Sequence, residues 1–186
     1  MKDGDLMSVI AVKVTEDHID IAADSILVKE GLKRTDFVKL RKINNMIIGG
    51  CGCAEELVLM FNFAKDNTPD NPTEKSIIEF MSKFSQYKEA MTGSPSLEDY
   101  VIITDSHAFE VNGFFVKEIS NYTAIGEGER FALAALHLGH TVQEAVQVAI
   151  DLCCYASEPI VYHHIWREWL WNENLLVVSC LPVTIY

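Results

Sequence analysis

Apolar positions along this chain recur with two different periods, and the switches between them mark out its elements. Ser8 to Val14 and Ile19 to Asp24 are apolar runs rich in β-branched residues. They flank the polar break Thr15-Glu16-Asp17-His18, so a β-hairpin is expected there. Asp36 to Ile43 alternates apolar with basic residues and is parted from Met46 to Gly49 by Asn44-Asn45. Asparagine tolerates positive φ, which makes this a second hairpin. From Ala54 to Asp66 the period lengthens: Leu57, Met60, Phe61 and Ala64 fall at helical spacing. Asn67 to Pro72 reads as a loop, and Thr73 as the N-cap of a second helix bearing Ile77, Met81, Phe84 and Lys88.

Strand character returns at Tyr100 to Ile103, His107 to Val111 and Phe114 to Ile119, the last two joined by Asn112-Gly113, a strong hairpin signal. Tyr122 to Gly126 is a short strand leading into a helix with Phe131, Ala134, Ala135 and Leu138, which Gly139 stops. Thr141 and Glu144 have the spacing of a capping box, so a fourth helix starts there and runs to about Tyr155. Its apolar residues occupy more than one face, which predicts a sandwiched helix. Leu175 to Tyr186 supplies terminal strand material broken by Pro182. Strands, two helices, strands, two helices, strands is an α+β order: a four-layer αββα sandwich of two antiparallel sheets flanked by helices. No repeat and no linker divides residues 1–186, which read as one domain.

Composition narrows the partners. With 186 residues the chain can bury roughly 70% of its unfolded surface. Its formal net charge is −12, which leaves little basic surface for phosphate, so no nucleic acid is expected. No apolar stretch approaches the ~20 residues that span a bilayer, and the acidic start, Met1-Lys2-Asp3-Gly4-Asp5, is no secretory signal. No membrane and a cytoplasmic address are the expectation. Five cysteines (51, 53, 153, 154 and 180) fit reduced thiols in the core. Cys51 and Cys53, with His163 and His164 far along the chain, lack the spacing of a structural zinc site, and neither metal nor cofactor is expected. Gly126-Glu127-Gly128 lacks a phosphate-loop fingerprint.

Five segments in order carry a resemblance. Ser8-Val9-Ile10-Ala11-Val12 and Ile19 to Ser25 resemble the opening hairpin of proteasome β-type subunits and of the HslV peptidase. Lys39-Leu40-Arg41-Lys42-Ile43 with Gly49-Gly50-Cys51-Gly52 is similar to that family's basic strand and glycine turn. Ala124-Ile125-Gly126-Glu127-Gly128 is similar to its A-I-G-S-G turn, and Asp151 to Tyr155 resembles the end of the central helix in HslV. The landmarks span about residues 8 to 157. Residues 158 to 186, with Trp166, Trp169 and Trp171, have no counterpart, and the tryptophans are either a packed layer or a contact surface.

The resemblance implies an N-terminal-nucleophile hydrolase fold, assembly into a homo-oligomeric ring or stacked rings, and, in an active member, a threonine-type peptidase that works on polypeptide delivered by an ATPase unfoldase. In such enzymes the first residue of the mature chain attacks a carbonyl while its own α-amine, of unperturbed pKa ~7.7–8, serves as base. Counted back from Asp24 without gaps, the nucleophile position falls on Ser8; one extra residue in the Thr15 to His18 turn moves it to Met7 and removes the nucleophile. By the same transfer Lys39 lowers the nucleophile's proton affinity, Asp24 orients it, Gly50 or Gly52 contributes an oxyanion amide, and Asp151 sits near the amine. Three features depart from the pattern: Glu127 stands where the family has serine, Met7 precedes Ser8 where glycine is usual, and residues 1–7 form a leader that blocks the Ser8 amine. The leading expectation is a self-assembling subunit that is proteolytically silent while residues 1–7 are retained. The alternatives are an active peptidase using Ser8 and an amidohydrolase acting on a small amide.

Overall fold

The computed structural model describes residues 5–6, 8–29 and 32–167. Two sheets lie face to face with a helix pair outside each, and the burial pattern explains why. In β2 (Ile10–Val14) and β3 (His18–Ala23) both faces are covered: Ile10, Val12, Ile19 and Ile21 point to the second sheet, whereas Ala11 and Ala22 point to helices. Small alanines on the outer face let those helices approach closely. The smaller sheet runs β11 (Tyr122–Ile125), β2, β3, β12 (Val161–Trp166), antiparallel throughout.

The larger sheet is built on β7 (Met46–Cys53), which pairs with β8 (Asp99–Thr104), followed by β9 (His107–Asn112) and β10 (Phe115–Glu118). The other edge of β7 takes β6 (Leu40–Ile43) along its first half and β1 (Asp5–Leu6) at its end, where Asp5 is opposite Cys53 and Leu6 opposite Gly52. Val101 and Ile103 face the other sheet; Tyr100 and Ile102 face α1 (Ala54–Asp66) and α2 (Glu74–Thr92) through Leu57, Met60, Phe80 and Phe84. On the far side α3 (Glu129–His137) and α4 (Val142–Leu152) cover the alanine face. The four-layer expectation is thereby met.

Local signals hold at several points. Asn44 adopts φ 55° in its turn, the Thr73 hydroxyl accepts from Ser76 N, and both halves of the Thr141 and Glu144 capping box form. Four readings need correction. The Asp36 to Ile43 strand is confined to Leu40–Ile43, and the preceding stretch contains a small separate sheet of β4 (Leu27–Lys29) and β5 (Leu32–Arg34). The fourth helix ends at Leu152 rather than Tyr155. It buries one stripe, Val142, Ala145, Val146 and Ala149, while Leu152 is exposed, so it is not sandwiched. Among the cysteines Cys51 and Cys153 are buried, but Cys154 is exposed because the helix stops short of it. Finally, β12 lies where no strand was expected; among the described residues it pairs only with β3, and its half-buried alternation is weak. The strand expected over 175–186 lies outside the described residues, as do Trp169 and Trp171. Trp166 is exposed.

Candidate active site

Hairpin register creates the site. Ile10 pairs with Ala23, so the next residues outward, Val9 and Asp24, also meet: Asp24 N donates to Val9 O at 3.2 Å, and Val9 N donates to Asp24 Oδ1 at 2.9 Å. Ser8 is thereby held at the mouth of the hairpin, fully buried. Asp24 is buried too, and its oxygens are saturated. Oδ1 also accepts from Lys39 Nζ at 2.8 Å, and Oδ2 accepts from Ile26 N at 3.1 Å and Ser157 N at 3.3 Å. A carboxyl group with this many donors is fixed in place, with its oxygens directed at Lys39 and the surrounding amides.

Lys39, just ahead of β6, has no exposed surface. Loss of hydration lowers its amine below the ordinary 10.5, and the attraction of Asp24 only partly offsets this. Cys51, on the inner face of β7, lies in the same field. Burial pushes its thiol up to about 12, against the opposing pull of Lys39 and a hydrogen bond from the Ser8 side chain. Cys51 is therefore protonated and unreactive near neutrality.

The turn after β11 closes the cluster. Gly128 N donates to Ser8 O at 3.1 Å, and Gly126, at φ +94°, passes so close that a Cβ there would stand 2.4 Å from Ser8 O and 2.9 Å from Cys51 Sγ. Glu127, between them, is exposed. Its charge points to solvent and does not enter the cluster.

Of the residues singled out in the sequence, Ser8, Asp24 and Lys39 thus come together in one buried cluster. Gly50 sits one residue from Cys51, but its amide donates to Lys39 O at 3.3 Å. Gly52 lies opposite Leu6 at the end of β7, at φ +106°, with the Glu98 carboxylate 2.3 Å from where a Cβ would stand. Asp151 is exposed in the last turn of α4 and accepts from Gln147 Nε2 at 2.9 Å. Cys51 as a partner of Ser8 is the residue that sequence reasoning missed. The signal was present only as a cysteine on the inward side of an apolar strand, which reads as ordinary core.

A cleft of about 690 Å³ is lined by Phe37, Ala54, Glu55, Val58, Leu59, Met91 and Thr92, and none of the clustered residues lines it.

Three solved structures match most of the chain. The Thiobacillus denitrificans protein BPH, in a complex with epoxomicin, superposes with a TM-score of 0.78 at 20% identity, covering 86% of this chain and 99% of its own. A second structure of the same protein gives 0.76 at 21% identity, covering 86% and 98%. The eukaryotic HslV from Trypanosoma brucei gives 0.68 at 19% identity, covering 85% and 99%. This chain has the HslV-type fold. At these identities the likeness is one of fold, and no protein-family model matches the sequence. The HslV-type core accounts for nearly all of each neighbour's length. Among the described residues, no helix of this HslV-type chain is long and apolar enough to cross a membrane.

Proposed function

We propose that this chain is an HslV-type subunit whose Ser8 site is an N-terminal-nucleophile centre held silent while residues 1–7 remain attached. The observation that carries the reading is the cluster itself: a buried serine hydroxyl, a lysine with a lowered pKa, and an aspartate that fixes both the lysine and the Val9 amide. That set suits attack on an amide carbonyl once a base is available. With Met7 joined to it, the Ser8 nitrogen is an amide that cannot accept a proton, so the mechanism lacks its base. The pairing of Asp5 and Leu6 with Cys53 and Gly52 supports the same reading, because it lays the leader along the end of β7 beside the cluster.

Removal of residues 1–7 gives the active form in this account. The Ser8 α-amine then takes the hydroxyl proton as the oxygen attacks a carbonyl carbon; Lys39 stabilises the serine oxygen as its proton leaves, and the negative charge passes to the carbonyl oxygen. The proton passes to the leaving amine, and water later hydrolyses the ester on Ser8 by the same base. An extended polypeptide is the substrate we favour over a small amide. The leader already pairs with β7 there as a strand would, and the cleft lined by Ala54, which follows Cys53 in the chain, has room for an apolar side chain. Assembly into a ring and service to an ATPase unfoldase belong to the same proposal; the likeness to HslV supports them.

Epoxomicin, which occupies one of the neighbours, provides the test. Intact-mass measurement is expected to show a one-to-one epoxomicin adduct on chains prepared to begin at Ser8 and none on chains that retain Met1. Modification of both forms alike, or of neither, would overturn the reading.

A further inference from the structure

On the helix-covered side of the smaller sheet, away from Ser8, three potential ligands from neighbouring strands converge. His18 and Asp20 alternate along β3, and the register places His164 of β12 directly opposite Asp20. His18 Nε2 stands 3.2 Å from Asp20 Oδ2, and His164 Nδ1 stands 2.7 Å from Asp20 Oδ1. One ligand atom from each lies within 4.8 Å of the others. From this geometry we infer that His18, Asp20 and His164 form a binding site for a divalent transition-metal ion, with zinc the best match.

The donor set decides the class of ion. Two imidazole nitrogens and one carboxylate oxygen suit zinc and its neighbours and are poor ligands for magnesium or calcium, which require mostly oxygen. Three protein ligands leave a fourth tetrahedral position for water. Ligands about 2.0–2.1 Å from a tetrahedral ion stand roughly 3.3–3.5 Å apart, so the widest gap has to close by a little over 1 Å. Side-chain rotation on half-exposed strand residues is enough for that, since the three side chains are 29%, 19% and 30% exposed.

The surroundings supply what such a site needs beyond its ligands. The Thr15 hydroxyl lies 3.1 Å from His18 Nδ1, fixing that ring and leaving Nε2 directed at Asp20. When His18 binds a metal through Nε2, its proton resides on Nδ1, where the Thr15 oxygen accepts it. The Tyr162 hydroxyl donates to Asp20 Oδ1 at 2.8 Å and orients the carboxylate. Trp166 packs edge-on against both imidazoles, with ring centroids 4.6 Å from His164 and 6.0 Å from His18, and shields one side. The cation cross-strand from Asp20, Lys13, is turned aside to the carbonyls of Gly139 and His140. It does not fill the position that an ion would take. The ion ties β12 to β3, so its binding stabilises the chain by mass action.

Untagged full-length chain, stripped with a chelator, can be titrated with zinc chloride by calorimetry at pH 7.5. One ion per chain is expected, with a rise in melting temperature. His164→Gln and Asp20→Asn should each weaken binding at least tenfold, while Cys154→Ser, which removes an exposed competing thiol, should leave it unchanged. Cobalt substitution should give visible bands without the intense ultraviolet absorption of a thiolate ligand. Absence of stoichiometric binding at 100 µM zinc, binding that survives both ligand substitutions, or a thiolate band would each overturn the site. His164 lies on a strand that is at the sheet's edge among the described residues, so its substitution keeps the test open if Asp20→Asn fails to fold. None of these readouts depends on Ser8.

Discussion

Asp24 with Lys39 and Glu56 with Lys88 are both carboxylate and lysine pairs enclosed by this fold near the C-terminal half of β7, and their surroundings separate what a buried pair does for structure from what it does for chemistry. Glu56 Oε1 accepts from the Glu98 amide and the Tyr100 hydroxyl, each at 2.8 Å, while Lys88 reaches Glu56 Oε2 and the Ser96 carbonyl. Every partner there is a fixed hydrogen-bonding group that ties α1 and α2 to β8. Tyr100, held well above its ordinary pKa by burial and then by Glu56, is a donor and nothing more. Around Asp24 and Lys39 the neighbours are a hydroxyl and a thiol, Ser8 and Cys51, and the lysine pKa is lowered. A buried ion pair is thus weak evidence of function by itself; the nucleophile beside it is what changes the reading.

Breaking the two pairs one at a time sharpens this contrast. Lys88→Met leaves the Glu56 charge buried without its partner and should cost about 3–5 kcal/mol in denaturant unfolding, with no change in activity per folded molecule of the Ser8-exposed form. Lys39→Met should destabilise comparably and also abolish that activity. Equal activity losses in the two variants would erase the distinction. Next in size is the glycine that wraps Ser8. Gly126→Ala combines positive φ with a Cβ driven onto the Ser8 carbonyl, and should cost about 2–4 kcal/mol. Gly139→Ala, at φ +93° with nothing within 4 Å, should cost only about 1 kcal/mol. Similar losses at both sites would mean that the turn does not press on Ser8.

The last contrast is in pH. Lys39 binds its proton more weakly folded than unfolded, so its contribution to stability grows as pH rises from the lowered folded value toward 10.5. Cys51 acts in the opposite direction: folded, it keeps a proton that the unfolded chain releases above about pH 9.0, so stability falls between there and about pH 12. Unfolding free energies measured across this range should lose the first slope in Lys39→Met and the second in Cys51→Ala. Unchanged slopes would contradict the assigned causes.

Much of the fold was legible because local chemistry and tertiary packing agree. The 54–66 helix, the Thr73 cap, the Thr141 and Glu144 box and the Asn-Gly hairpin all report their own backbone geometry. The strand β12 was not legible, since a strand with alternating His and Trp carries no clear apolar period. Nor was the full reach of α4: apolar residues on several faces looked like burial, yet only one stripe meets the sheet and α3. In the site, the resemblance supplied Ser8, Asp24 and Lys39, which the hairpin register then brings together. It could not supply Cys51 beside Ser8 or Glu56 beside Lys88, because those pairings join residues whose spacing in the chain has no period to read.

Peptide-amide hydrolysis by two preparations, one starting at Ser8 and one retaining Met1 by intact mass, tests the account most directly. The account predicts turnover only in the first, abolished by Ser8→Ala. Equal turnover by the form with residues 1–7 still attached, or turnover that survives Ser8→Ala, would contradict it.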